Sequence, residues 1–196
     1  MLEALRAGKR PARKLFLLRG GQGLEEIRAA AGAVLVEELP RPELDRLTEA
    51  TQHQGAVLWA DPLPVQELRE WLARAKDGPV VVLDEVEDPQ NFGAIIRSAA
   101  ALGASAVLFG KDRAAPLSTA AVKAAAGAAE YVDLVQVTNI ARALEQLRAA
   151  GHWITGLDAA GDRLLWELDF RGRIALVVGS EGKGMRRLVR EKCDYL

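Results

Sequence analysis

The chain has 196 residues, 49% hydrophobic and 27% charged, with a net charge of −1. That balance is globular, and the length suffices to bury a core without a disulfide or metal staple. A single cysteine, Cys193, excludes a disulfide framework, and with only His53 and His152 as histidines a His/Cys metal site is not expected. No apolar run approaches the roughly 18 residues of a membrane span and the N-terminus lacks a signal-peptide core, so the expected compartment is a reducing cytoplasm with no membrane partner.

In chain order, short apolar runs read as strands at 14–18, 33–36, 56–59, 80–83, 106–109, 132–135, 153–155 and 174–178. Helical spacing falls between them at 23–31, 42–50, 65–76, 92–102, 117–126, 139–150 and 185–192. Continuous apolar strands alternating with helices indicate an α/β fold with a mostly parallel sheet covered on both faces. Asp61-Pro62-Leu63-Pro64 stops one strand, and Asp77-Gly78-Pro79 breaks the helix that follows. We therefore expect a small α/β unit at 1–62, a linker helix at 63–78 and a larger unit at 79–196, with a crossover helix within one sheet as the other reading of 63–78.

Charge is distributed as a mosaic. Arg6, Lys9, Arg10, Arg13, Lys14 and Arg19 cluster near the N-terminus, and Lys183, Arg186, Arg187, Arg190 and Lys192 near the C-terminus. An acidic knot, Asp84, Glu85, Glu87 and Asp88, lies between them. Charge alone leaves two readings open, a phosphate-rich partner or solvated faces.

Two segments carry chemistry. In the first, a buried strand ends in the acidic turn, Pro89 stiffens it, and a helix starts near Asn91. Either Asp88 or Asn91 can cap that helix. Capping does not account for Arg97, which emerges beside the strand ends, where open α/β sheets place ligands. In the second, Ala175-Leu176-Val177-Val178 runs into Gly179-Ser180-Glu181-Gly182-Lys183-Gly184-Met185. Its G-x-x-G-x-G spacing is neither the dinucleotide fingerprint nor a Walker A loop. Glu181 would repel a phosphate, so a neutral or cationic ligand fits this loop better, and a plain strand-to-helix turn also fits. Thr155-Gly156-Leu157-Asp158 would lie at the same sheet edge, and His53-Gln54-Gly55 forms a turn or a partner contact.

Together these residues resemble the SpoU (TrmH-like) branch of the SPOUT methyltransferases. The first family motif is matched by Asp88-Pro89, Asn91, Gly93 and Arg97, and the second by Val178 through Met185. His53-Gln54-Gly55 and Leu2-Glu3-Ala4-Leu5 look like the family's N-terminal RNA-binding domain. The resemblance implies methylation of a ribose 2′-hydroxyl in structured RNA, rRNA rather than tRNA and a guanosine of the large subunit, with S-adenosylmethionine as cofactor. It implies Asn91, Arg97 and Glu181 as catalytic residues, and Gly156, Leu157, Gly179 and Ser180 at the cofactor. Arg10, Arg13, Lys14 and His53 are the implied RNA contacts. A homodimer and a trefoil knot are further expectations. The family's third motif would follow Leu196, so the methyltransferase domain is expected to be truncated at its C-terminus.

The implied reaction needs no metal, because the methyl donor is already activated by positive sulfur; the protein must align the atoms and remove a proton. A guanidinium is a poor base at neutral pH, so Arg97 is assigned phosphate positioning and hydroxyl polarisation. A catalytically silent RNA-binding protein on the same scaffold is the alternative. A nucleotide-dependent oxidoreductase is disfavoured by the absent G-x-G-x-x-G.

Overall fold

The chain divides into two units, Met1–Pro64 and Val65–Leu196. The computed structural model describes residues 1–48, 53–74, 78–112, 117–161, 163–169 and 171–196. The ends of the helices expected at 42–50 and 65–76 therefore lie outside the described residues.

The first unit is built on a three-stranded sheet of β1 (Ala12–Leu18), β2 (Leu35–Leu39) and β3 (Ala56–Ala60), in the order β2-β1-β3. β1 runs parallel to β2 and antiparallel to β3. Alternation along β1 sends Leu15 and Leu17 to one face, where they pack with Ala31, Ala56 and the partly buried Leu5, Leu24 and Ile27. Those partners come from or adjoin α1 (Leu2–Ala7) and α2 (Glu25–Ala30). Phe16 points the other way and packs with Val57 and with Leu44 of α3 (Arg41–Leu47). α1 was not expected from the sequence: it is six residues long and buries only Ala4, too short for periodicity to register. β2 begins two residues later than expected because Gly32 and Ala33 form a turn, with φ +54° at the glycine.

The second unit holds β4 (Val65–Glu67), β5 (Val80–Asp84), β6 (Ala106–Gly110), β7 (Asp133–Val137), β8 (Trp153–Gly156) and β9 (Ile174–Gly179). They form one sheet, ordered β4-β7-β6-β5-β9-β8, in which every pairing is parallel. This is the expected α/β architecture. The stretch expected as one helix at 65–76 is divided instead: Val65–Glu67 pair with β7 as an edge strand, and α4 is only Leu68–Leu72. Its Leu68 and Trp71 are buried, so the helical spacing that was read there marks one core-facing turn.

Val80, Val82, Ala106, Leu108, Ala175 and Val177 face α4, α7 (Ile140–Ala149) and α8 (Arg187–Arg190). The intervening residues face α5 (Pro89–Ala101) and α6 (Thr119–Ala124), with Phe92 edge-on to Phe109 at 5.2 Å. The C-terminal residues dock along β8: Gly156 N donates to Tyr195 O at 2.9 Å, and Asp194 N donates to Ile154 O at 2.7 Å. Among the described residues no helix is long and apolar enough to cross a membrane.

Candidate active site

β5 and β9 are adjacent and parallel, so the two segments singled out in the sequence leave the sheet side by side at its carboxyl edge. That is where open α/β sheets bind ligands. After β5 the chain turns through Glu85, a non-glycine residue at φ +57°, and enters α5 at Asp88. Asp88 is the cap: its Oδ1 accepts from Asn91 N at 2.8 Å, and Pro89 occupies the first turn. The Asn91 side chain is thereby left for another role.

After β9 the loop closes as a tight hairpin. Ser180 N donates to Gly184 O at 3.1 Å and Gly184 N donates back to Ser180 O at 2.9 Å. Gly184, at φ +67°, allows the turn, and Gly179 admits it: a Cβ there would lie 2.2 Å from the Gly184 carbonyl carbon. The hairpin tip holds Glu181 over α5, and Asn91 Nδ2 donates to Glu181 Oε2 at 3.1 Å. A polar pocket of about 190 Å³ opens beside this pair, lined by Glu87, Asp88, Ser180 and Lys183 among others. An apolar groove of about 730 Å³, lined by Ala94, Ile95, Leu102, Leu176 and Val178, meets it at Asn91 and Glu181.

A second connection between the segments was not anticipated. Asp84, fully buried at the end of β5, accepts from Arg186 N at 2.7 Å and from Arg186 Nε at 2.8 Å, with Nη2 2.6 Å away. Glu85 adds a longer contact to Arg186 Nε at 3.5 Å. The carboxylate raises the Arg186 guanidinium above its ordinary value, and burial opposes the shift. This clamp fixes the far end of the hairpin to the start of the turn that leads to Asn91. Its sequence signal was an aspartate ending an apolar strand and an arginine opening a helix, each unremarkable alone.

Arg97 is exposed on α5 and lines neither the polar pocket nor the apolar groove. It is therefore not brought to the Asn91–Glu181 pair within this chain.

The remaining candidates group in two places. Gly156 and Leu157, at the end of β8, adjoin the C-terminal segment. A Cβ on Gly156 would meet Met185 Cε at 2.6 Å and Cys193 Sγ at 2.8 Å, so this glycine admits side chains of its own unit. Leu157 N donates to Val177 O, while its side chain stays 38% exposed. Nearby, Ala160, Arg163, Cys193, Asp194, Tyr195 and Leu196 line a cavity of about 410 Å³. Burial pushes the Cys193 thiol up to about 11, which keeps it protonated and unreactive at neutral pH. In the first unit, Arg13 forms a fork on Asp61 at 2.7 and 2.6 Å, and Arg10 Nη1 donates to the Asp61 carbonyl at 2.9 Å. Lys14 lies 2.5 Å from Glu37. His53 is buried; Nδ1 accepts from Gly55 N at 3.0 Å and Nε2 faces Asp45 Oδ1 at 2.9 Å. Both ring nitrogens are thus engaged in holding the turn.

Two family models match the chain: the SpoU rRNA Methylase family over residues 78–196, and RNA 2′-O ribose methyltransferase substrate binding over residues 1–66. The chain belongs to the SpoU rRNA methylase family. It is 42% identical to the 23S rRNA (guanosine-2′-O-)-methyltransferase RlmB of Pseudomonas aeruginosa, the match covering 98% of this chain and 80% of that one. It is 41% identical to an uncharacterized tRNA/rRNA methyltransferase of Mycolicibacterium vanbaalenii, where the match covers 99% of this chain but 64% of the relative. An rRNA methyltransferase from Sinorhizobium meliloti has the same fold, with a TM-score of 0.80 at 24% identity over 100% of this chain and 73% of that one. The SpoU methyltransferase AviRb from Streptomyces viridochromogenes, solved with AdoMet, superposes with a TM-score of 0.74 at 26% identity over 98% of this chain and 75% of that one.

Proposed function

We propose that this protein methylates a ribose 2′-hydroxyl in RNA, a guanosine of large-subunit rRNA, with S-adenosylmethionine as methyl donor. One observation carries the reading: the Asn91–Glu181 hydrogen bond, which joins the family's first two motifs at the mouth of a polar pocket. Names of relatives supply the substrate class, RlmB for rRNA guanosine and AviRb for the cofactor.

The residues present suit that cofactor. The cavity at the C-terminal segment is ligand-sized, at about 410 Å³, and is lined by Tyr195, Leu196 and Asp194, whose carboxylate is held by Arg148 Nη2 and Ile154 N. Gly156 and Leu157, which adjoin the C-terminal segment, and Gly179 and Ser180, at the end of β9, would hold the group. When bound, the cofactor supplies a methyl group on positively charged sulfur.

The chain's own residues do the rest. Glu181 fixes the Asn91 amide, whose nitrogen donates to the carboxylate and whose oxygen is left to accept from a substrate hydroxyl. The Asp84–Arg186 clamp holds both motifs in register while substrate enters. Arg97, permanently charged and exposed, holds phosphate and polarises the ribose hydroxyl. The unit at Met1–Pro64, with Arg10, Arg13, Lys14 and the turn held by His53, binds structured RNA, and the unit at Val65–Leu196, which takes in β4 and α4, carries the methyl transfer. Two copies join through the apolar groove beside α5, where Leu102 is 82% exposed, and the protein works in the cytoplasm.

The test is transfer of a labelled methyl group to deproteinised 23S rRNA, followed by alkaline hydrolysis. A methylated 2′-oxygen cannot attack its phosphate, so the label must appear in an alkali-resistant dinucleotide. Label recovered in mononucleotides sinks the assignment. Asn91→Ala and Glu181→Ala should each lower kcat about 100-fold, the effect of misplacing reacting groups by about 1 Å. Calorimetric titration of S-adenosylmethionine separates an enzyme from a silent RNA-binding scaffold, which would give no heat.

A further inference from the structure

In the first unit, α3 is seven residues long and covers only one end of its sheet face. At the other end a row of side chains crosses all three strands: Lys14 on β1 is in register with Leu35 on β2 and with Trp59 on β3. In-register residues share a face, so these three point the same way as Phe16, two residues along β1. Leu35 is 63% exposed and Trp59 50% exposed, whereas Phe16 is 4% exposed. The buried Phe16 ring braces the indole edge-to-face, with centroids 4.8 Å apart at 72°. Lys14 Nζ lies 5.0 Å from the Phe16 ring and 2.5 Å from Glu37.

Scattered exposed apolar residues are ordinary. A tryptophan braced from below, beside a lysine, on an open sheet row is a different arrangement. The row is one residue deep, far less than the roughly 800 Å² per partner that a stable protein interface requires. It matches one planar ring, and every nucleobase has a face that an indole can stack on. The cation at its centre sits where the adjoining phosphate of a stacked nucleotide would be drawn. Its ion pair with Glu37 is partly open to solvent, on the exposed Glu37 side, and can exchange for a phosphate.

We propose that Trp59 is a base-stacking residue that takes an unpaired nucleobase of the substrate RNA, with Lys14 receiving the neighbouring phosphate. This rests on the reading of the protein as an RNA methyltransferase and deepens it.

The experiment measures the Kd of the whole chain for deproteinised 23S rRNA, independently of methyl transfer, in wild type, Trp59→Ala, Trp59→Leu and Trp59→Phe. Trp59→Ala should weaken binding about 5- to 150-fold, the range for loss of one base–aromatic stack. Trp59→Leu should match it, and Trp59→Phe should stay within about 3-fold of wild type because a ring is retained. Affinity for S-adenosylmethionine should be unchanged throughout, and each variant should remain folded at the assay temperature although loss of the Phe16 contact lowers its thermal midpoint. A flat Kd series overturns the proposal. So does rescue by Trp59→Leu equal to that by Trp59→Phe, which would assign Trp59 to packing on Phe16 within the unit rather than to a stack. Loss of methyl transfer in wild type with the Kd series intact would instead count against the proposed activity and leave the stacking role supported.

Discussion

Two side chains compete to cap α5, and the geometry divides the work between them. Asp88 occupies the position just before Pro89 and the first helical turn, so it takes the backbone N–H of Asn91, and the Asn91 amide is released toward Glu181. Capping alone would not have distinguished them, since aspartate and asparagine are equally good caps. Arg97 shows the other limit of local reading. Arg97 was legible in sequence as a cation on a helix with an apolar side, but within one chain it lines neither of the pockets that meet at the Asn91–Glu181 pair. Arg97→Ala should abolish detectable methyl transfer while leaving the calorimetric Kd for S-adenosylmethionine unchanged. An equal loss of both would show that the guanidinium serves the fold or the cofactor rather than the RNA.

At the scale of elements, α5 can carry the site only because it lies close against α6. Gly93 makes that approach possible: a Cβ there would lie 2.4 Å from Ala121 O and 2.5 Å from the Ala124 Cβ. Gly93→Ala should therefore destabilise the protein by about 1–3 kcal/mol despite the higher helix propensity of alanine, because backbone must move to accept the methyl group. A urea titration that gave Gly93→Ala the higher midpoint would contradict this packing. The family motif places a glycine here, and the reason is helix contact rather than ligand approach. The edge strand β4 illustrates the reverse error. Leu68 and Trp71 gave the segment helical spacing, yet Val65–Glu67 gain more by hydrogen bonding to β7, a partner about 70 residues away that no local window contains.

For the molecule as a whole, a buried histidine couples stability to pH. His152 is 5% exposed, packs 6.4 Å from Trp71, and donates from Nδ1 to Leu147 O at 3.1 Å. Burial pushes it below its ordinary 6.5, and the nearby Arg173 pushes in the same direction. The unfolded chain therefore takes up this proton at higher pH than the folded one. The stability it contributes is complete above about pH 6.5 and declines as pH falls toward the folded value, by up to about 1.4 kcal/mol per pH unit. Urea midpoints followed by tryptophan fluorescence should drop from pH 7 to pH 5.5 in the wild type and stay level in His152→Gln. A level wild-type series would contradict a neutral buried imidazole. Asp61 and Asp169, held down by hydrogen bonds from Arg13 and Arg171, with Asp169 near 2, belong to a more acidic window.

By itself the sequence determined what backbone geometry makes local. Apolar runs marked the strands, three-to-four spacing marked the longer helices, and the acidic turn and glycine loop were evident as strand-to-helix transitions with unusual side chains. These signals arise within a few residues of where they act. What only the tertiary structure decided was which transitions meet. The strand order sets β9 beside β5, and from that follow Asn91 against Glu181, 90 positions apart, and Asp84 against Arg186, 102 apart. Hydrogen-bond partners across such separations depend on how strands are ordered in the sheet. No periodicity encodes that order, because every strand of a buried parallel sheet carries the same apolar pattern.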